Sequence, residues 1–178
     1  MSYLLLPLSS ENYAHAVTLY EQAFPVEERR RSDEWIRFYE DKENFSIGSI
    51  ENATGFVGFL SFWCFVDFVY IEHFATLPSC RGKGIGERIL RQFIHDNSTR
   101  PIVLEVEPAD SELSSRRIAF YERQGFALSS QTYVQPAYQQ GGLSVPLCLM
   151  CTNSTFLSVN FANVVRTLHT MVYGVNLY

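Results

Sequence analysis

The chain has 178 residues, of which 47% are hydrophobic and 15% aromatic; this suits one domain with a substantial core and excludes a disordered or low-complexity chain. Fourteen basic against 19 acidic residues leave a formal net charge of −5, which argues against the basic footprint of a nucleic-acid binder and fits a cationic partner.

Residues 3–8 (YLLLPL) predict a first strand. Ser9 and Ser10 are placed to cap a helix carrying Tyr13, Val17, Tyr20 and Phe24 at helical spacing, interrupted by Pro25. A second amphipathic helix is expected over 26–40, anchored by Trp35, Phe38 and Tyr39, with the mixed-sign run 27–31 as a solvated face. NFSIGSIE reads as a strand, Asn52-Ala-Thr-Gly55 as a hairpin turn, and FVGFLSFWCF as a strand buried on both faces. Residues 69–77 predict another strand, followed by a glycine-rich stretch that opens a helix with Ile85, Ile89, Leu90 and Phe93 on one face. PIVLEVEP predicts a strand, and SSRRIAFYERQ a helix closed by Gly125. Strands are expected over 126–134 and 143–151. A final amphipathic helix starts at a Ser154/Thr155 cap and stripes Leu157, Phe161, Val164, Leu168 and Val172.

The four cysteines (Cys64, Cys80, Cys148, Cys151) sit in or beside apolar runs, and one Cys148-x-x-Cys151 pair without a second ligand pair reads as buried strand. No metal is therefore expected. The start MSYLLLPL lacks the basic flank of a secretory signal, and the apolar run 56–71, broken by Ser61 and Asp67, is too short for a membrane span. A cytoplasmic protein with no membrane and no nucleic-acid partner is the expectation.

The stretch CRGKGIGERIL (80–90) places three glycines within five positions among cations, just before a helix. Backbone N–H groups of such a turn converge on an anion, and the helix dipole reinforces them. A nucleotide P-loop requires G-x-x-x-x-G-K-[ST], and here Lys83 lies between Gly82 and Gly84 with no hydroxyl residue following. A dinucleotide fingerprint matches poorly, because the order is G-x-G-x-G, late in the chain.

Arg81-Gly82-Lys83-Gly84-Ile85-Gly86 does match R-x-x-G-x-G, with YIEHFATLP before it and SSRRIAFYERQGF after the next strand, over about residues 69–126. On these three blocks the chain resembles the GNAT superfamily of acyl-CoA N-acyltransferases. The resemblance implies an α/β (α+β) fold with a central, mostly antiparallel mixed sheet flanked by helices. One domain is expected over 1–178, to which the amphipathic segment 154–174 adds a C-terminal helix that packs on the domain or serves a homodimer. Acetyl-CoA is implied as co-substrate, with no metal. Arg81, Gly82, Lys83, Gly84, Ile85 and Gly86 are expected to hold its pyrophosphate, and the backbone at Phe74, Ala75 and Thr76 its pantetheine arm. Ser114, where many members carry asparagine, is expected to hydrogen-bond the same arm.

An amine must lose a proton before it attacks a thioester, and the departing thiolate must gain one. Glu72 is a carboxylate in the middle of an apolar strand, a costly position for a charge; the resemblance implies a general base acting through water. Tyr121, in Phe120-Tyr121-Glu122-Arg123-Gln124-Gly125-Phe126, matches the family's general acid. His73 falls on the opposite strand face, as a core residue. The acceptor is expected to be a primary amine on a small molecule or protein, held near AFPVEERRR and YVQPAYQQGG. The alternative is a non-catalytic acyl-CoA-binding module, which needs neither Glu72 nor Tyr121.

Overall fold

Alternating apolar residues and short turn signals carry the first half of the chain into an antiparallel meander. The structure, a computed structural model, describes residues 3–139 and 141–175. It divides into two units, Met1–Val26 with Arg30–Arg100, and Glu27–Arg29 with Pro101–Tyr178.

In the first unit β1 (Leu4–Pro7), β2 (Phe45–Asn52), β3 (Gly55–Cys64) and β4 (Val69–Thr76) pair antiparallel in chain order. The β2–β3 hairpin turns as expected, with the Asn52 Oδ1 accepting the Thr54 N–H at 2.8 Å. β3 is buried on both faces through its middle. Helices α1 (Tyr13–Ala23), α2 (Ser32–Asp41) and α3 (Ile85–Asp96) flank these strands. The four residues expected on the apolar face of α3 are all buried. Phe74 and Cys80 pack on a core of Ile50, Val57, Ile85 and Ile89, which ties the end of β4 to the start of α3.

The second unit contains β5 (Ile102–Val106), α4 (Glu112–Glu122), β6 (Ala127–Leu128), β7 (Tyr133–Gln135), β8 (Val145–Cys151) and α5 (Ser154–Thr167). β8 pairs antiparallel with β5, β6 and β7. α5 continues into a π-helical turn, Leu168–Val172. Of the expected stripe on this last helix, Leu157, Val164, Leu168 and Val172 are buried and Phe161 is half-buried.

Four local expectations need correction. Ser9 makes no capping bond; a 3-10 turn, Ser10–Asn12, precedes α1, and the Asn12 amide instead donates to Glu51 at 2.9 Å. The second helix starts at Ser32, because Val26–Glu28 forms a separate 3-10 turn and Arg30 turns inward, its N–H donating to the Tyr20 hydroxyl at 2.9 Å. The expected strand over 126–134 is two short strands, interrupted where Ser129 Oγ accepts the Gln131 N–H at 3.1 Å. The last helix is capped by Asn153, whose Oδ1 accepts the Phe156 N–H at 2.8 Å; among short polar residues asparagine is one of the strongest caps. All four cysteines are free thiols, with Cys148 and Cys151 in β8 as the apolar run implied.

Candidate active site

The glycine stretch forms an exposed loop between a 3-10 turn, Pro78–Cys80, and α3. Gly82 and Gly84 have φ of 73° and 71°, a left-handed conformation that side chains with a Cβ rarely adopt. Gly84 is itself the N-cap of α3, where it offers no side chain to the helix. The N–H groups of Ile85, Gly86 and Glu87 lack intrahelical acceptors by helix geometry, so the end of α3 presents donors and a positive dipole. Arg81 and Lys83 flank them on exposed positions. From this loop a groove of about 570 Å³ runs along α3 past Arg88, Arg91, Gln92 and His95. Arg91 pairs with Glu87 at 2.7 Å, and Arg88 lies over the Tyr3 ring. The sequence reading missed these helix cations, although Gly84, Arg88, Arg91 and His95 recur at the spacing of one helix face. The donor set fits a diphosphate, and the groove fits a longer anionic ligand.

Close by in the same unit lie the expected pantetheine positions. Ala75 is buried, whereas Phe74 and Thr76 are half-buried. Gly58 on β3 pairs with Thr76, and a Cβ at Gly58 would stand 2.4 Å from the Ala75 carbonyl oxygen. This glycine, not singled out from sequence, sets how closely β3 approaches the strand.

Glu72 is the extra residue of a β-bulge: Ser61 pairs with His73 and Phe62 with Ile71, and Glu72 falls between. Bulges re-aim side chains, and here the carboxylate is wholly buried, leaving only main chain of Glu72 to solvent. Its Oε1 accepts from Arg30 Nη1, and its Oε2 accepts from Trp63 Nε1 at 2.9 Å. Arg30 is 3% exposed, with its guanidinium over the rings of Phe38 and Trp63 at 4.9 and 5.7 Å. The solvated-face expectation therefore fails at Arg30. The hydropathy of ERRR cannot tell which arginine turns inward; only the position of Glu72 on β4 does. Burial pushes the Glu72 carboxyl up, but Arg30, His73 and the Trp63 N–H together pull it net below the ordinary carboxylate value. His73 is buried between the rings of Tyr20 and Phe24, with Ser61 Oγ at 3.4 Å, as expected of a core histidine.

In the second unit α4 carries Ser114 and Tyr121. The Ser114 hydroxyl is 2% exposed and belongs to a capping box with Ser111, accepting the Ser111 N–H and contacting the Ser111 hydroxyl at 2.9 Å. Tyr121 packs edge-on against Phe120 and Phe126. Among the described residues its phenol has no hydrogen-bonding partner. Burial pushes that phenol up to about 12, with Arg117 opposing, so it keeps its proton at neutral pH.

Over its full length the chain is similar to a solved structure from Bacteroides thetaiotaomicron assigned to the GNAT family of acetyltransferases. They are 36% identical, with 99% of this chain and 100% of that one covered and a TM-score of 0.89. The chain belongs to the GNAT acetyltransferase family. The family's sequence model, an acetyltransferase (GNAT) domain, matches residues 43–128 of this GNAT chain, which include Glu72, the glycine loop and Tyr121. A curated relative assigned as an acetyltransferase, YjbC of Bacillus subtilis (strain 168), is 26% identical over 105 residues, 58% of this chain and 52% of the relative. The GNAT chain thus matches about half the length of that curated relative. The fold is shared with spermidine N-acetyltransferase from Vibrio cholerae, whose structure holds CoA and spermine; identity is 14%, coverage 84% and 94%, and the TM-score 0.64. GNAT membership accounts for a mixed α/β fold with mostly antiparallel strands flanked by helices. GNAT acetyltransferases use acetyl-CoA as their co-substrate. Among the described residues no cluster of His, Cys, Asp and Glu could hold a metal ion, and no helix is long and apolar enough to cross a membrane.

Proposed function

We propose that the protein transfers an acetyl group from acetyl-CoA to a primary amine. The observation that carries this reading is the left-handed Gly84 at the N-cap of α3, which leaves the first-turn amides without a side-chain cap just after the exposed Arg81 and Lys83. Arg81, Gly82, Lys83, Gly84, Ile85 and Gly86 would hold the pyrophosphate, and the main chain at Phe74, Ala75 and Thr76 the pantetheine arm. Ser114 serves this account chiefly by capping α4, the helix that carries Tyr121.

An alkyl ammonium with a pKa of ~10 must shed one proton to attack. In the proposed reaction Glu72 accepts that proton through a water, and it then passes to solvent. The amine nitrogen bonds to the thioester carbon, the C–S bond breaks, and the Tyr121 hydroxyl protonates the departing sulfur. The second ammonium proton, released as the amide forms, restores Tyr121. The high phenol pKa keeps the donor loaded, and Arg30 with Trp63 keeps Glu72 ionised. A carboxylate held so firmly is a weak acceptor, so most of the general acid–base effect is assigned to Tyr121.

The test is release of free thiol from acetyl-CoA with a panel of primary amines. Turnover with at least one amine, reduced in Tyr121→Phe, is expected. Thermal stabilisation by CoA with no turnover on any amine would establish the acyl-CoA-binding module instead.

A further inference from the structure

Beside the end of β4, strand β3 departs from regular geometry on both of its edges. On the β2 side Ile50 pairs with Gly58 and Glu51 with Phe56, so Val57 is an extra residue of β3. A bulge bends its strand and raises the local twist, and glycine within a strand marks a bulge or a close backbone approach. Gly58 stands at both. On the β4 side it pairs with Thr76, where an added Cβ would lie 2.4 Å from the Ala75 carbonyl oxygen and 3.0 Å from the Thr76 Cα. Both atoms are main chain, so no change of rotamer relieves the contact. Ordinary contact begins at about 3.4 Å, so a side chain at Gly58 drives the main chain of Ala75 and Thr76 back by about 1 Å.

That displacement falls on the edge β4 turns away from β3. The Leu77 N–H donates to the Val57 carbonyl at 2.8 Å. Main-chain groups of an antiparallel strand alternate in direction, so Leu77 and Ala75 address β3, while Phe74 and Thr76 turn theirs to the opposite edge. Thr76 ends β4, and it is the residue that Gly58 meets. The glycine loop has an anchorage of its own, since Cys80 packs with Ile85 and Ile89 of α3 on Ile50 and Val57. Strand end and loop can therefore be disturbed separately.

We propose that Gly58 is a positioning residue for the pantetheine arm of CoA. By carrying no side chain, it sets the Thr76 main chain at the depth where that arm is hydrogen-bonded. Gly58 acts through Thr76 and not by contact with CoA. The proposal rests on the reading that the arm lies along Phe74, Ala75 and Thr76, and it adds a residue of the neighbouring strand to cofactor selection.

Calorimetric titration with CoA and with phosphoadenosine diphosphate, the nucleotide half of CoA without its pantetheine arm, separates the strand from the loop. The wild-type protein is expected to bind CoA about a hundredfold tighter than the nucleotide, since each main-chain hydrogen bond to the arm contributes up to about tenfold. A shift of about 1 Å breaks such a bond. Gly58→Ala should therefore lower the preference for CoA about tenfold while the nucleotide binds as before, a split that general loss of stability does not produce. An unchanged preference in Gly58→Ala, or equal weakening of both ligands, overturns the proposal. If the variant does not fold, backbone amide shifts of the wild-type protein decide. CoA should move Gly58 and Thr76 and the nucleotide should leave both in place; movement with both ligands, or with neither, overturns the proposal. Equal affinity of the wild-type protein for the two ligands overturns the pantetheine reading itself, and the proposal with it.

Discussion

The glycine loop of α3 and the Tyr133–Glu105–Tyr173 network are both polar, yet they are made in opposite ways. The loop draws on six consecutive residues, and its donors are main-chain amides released by the left-handed Gly82 and Gly84. The network draws on β5, β7 and the end of the last helix, 68 residues apart between Glu105 and Tyr173. A site written in consecutive backbone can be read from spacing. A network written in side chains from distant strands needs the register before it exists on the page.

The largest effect should come from the residue that bridges these two styles, Tyr121, which is legible by motif and set chemically by its surroundings. Tyr121→Phe should lower kcat by about 10²–10⁴-fold, the usual weight of a general acid, with little change in CoA affinity. An unchanged kcat would remove Tyr121 from the mechanism. Because the phenol is pushed up to about 12, the wild-type alkaline limb should not begin below about pH 10; a limb near neutrality would contradict the buried, neutral phenol.

Next in size is Arg30→Met, which strands the buried Glu72 carboxylate and should cost about 3–5 kcal/mol in denaturant unfolding. Arg30→Met with Glu72→Leu should recover most of that loss, whereas equal damage in both variants would mean that Arg30 works through packing alone. The pair also predicts an acid limb. Glu72 titrates below its ordinary value of 4.5 in the folded state, so its stabilisation is complete above that value and is lost as pH falls through the lower folded value. The double variant should show a flatter stability–pH curve in that window.

Gly84→Val comes third. It should weaken CoA binding about a hundredfold through the φ of 71°, while the absence of any atom within 4 Å of an added Cβ leaves the protein core untouched. Retained affinity would separate the loop from the ligand. Smallest is Arg91→Ala on the exposed groove, expected to weaken CoA about two- to fivefold at low salt and less at high salt.

Much of the fold was legible because its signals are local. The alternation of β2, the Asn52 turn, the apolar face of α3 and the Gly125 stop each lie within a dozen residues. Two errors fall where a distant partner overrides a local preference: Asn12 gives its amide to Glu51 on β2, and Arg30 leaves a polar run to reach Glu72. The other two are local, the Ser129 turn inside an apparent strand and the cap at Asn153 one residue before the expected Ser154. The sequence singled out Glu72 as a candidate but not its bulge, its arginine or its tryptophan. Gly58 was invisible because its reason is the Ala75 carbonyl, 17 residues on, meeting it across two strands.

The central claim is that CoA is held on the amides opening α3. Mapping backbone amide shifts of the isotopically labelled protein during titration with CoA tests it most directly. The account predicts the largest perturbations at Gly82, Gly84, Ile85 and Gly86, saturating together with those of Ala75 and Thr76. Saturable CoA binding that leaves the 82–86 amides unmoved would contradict it.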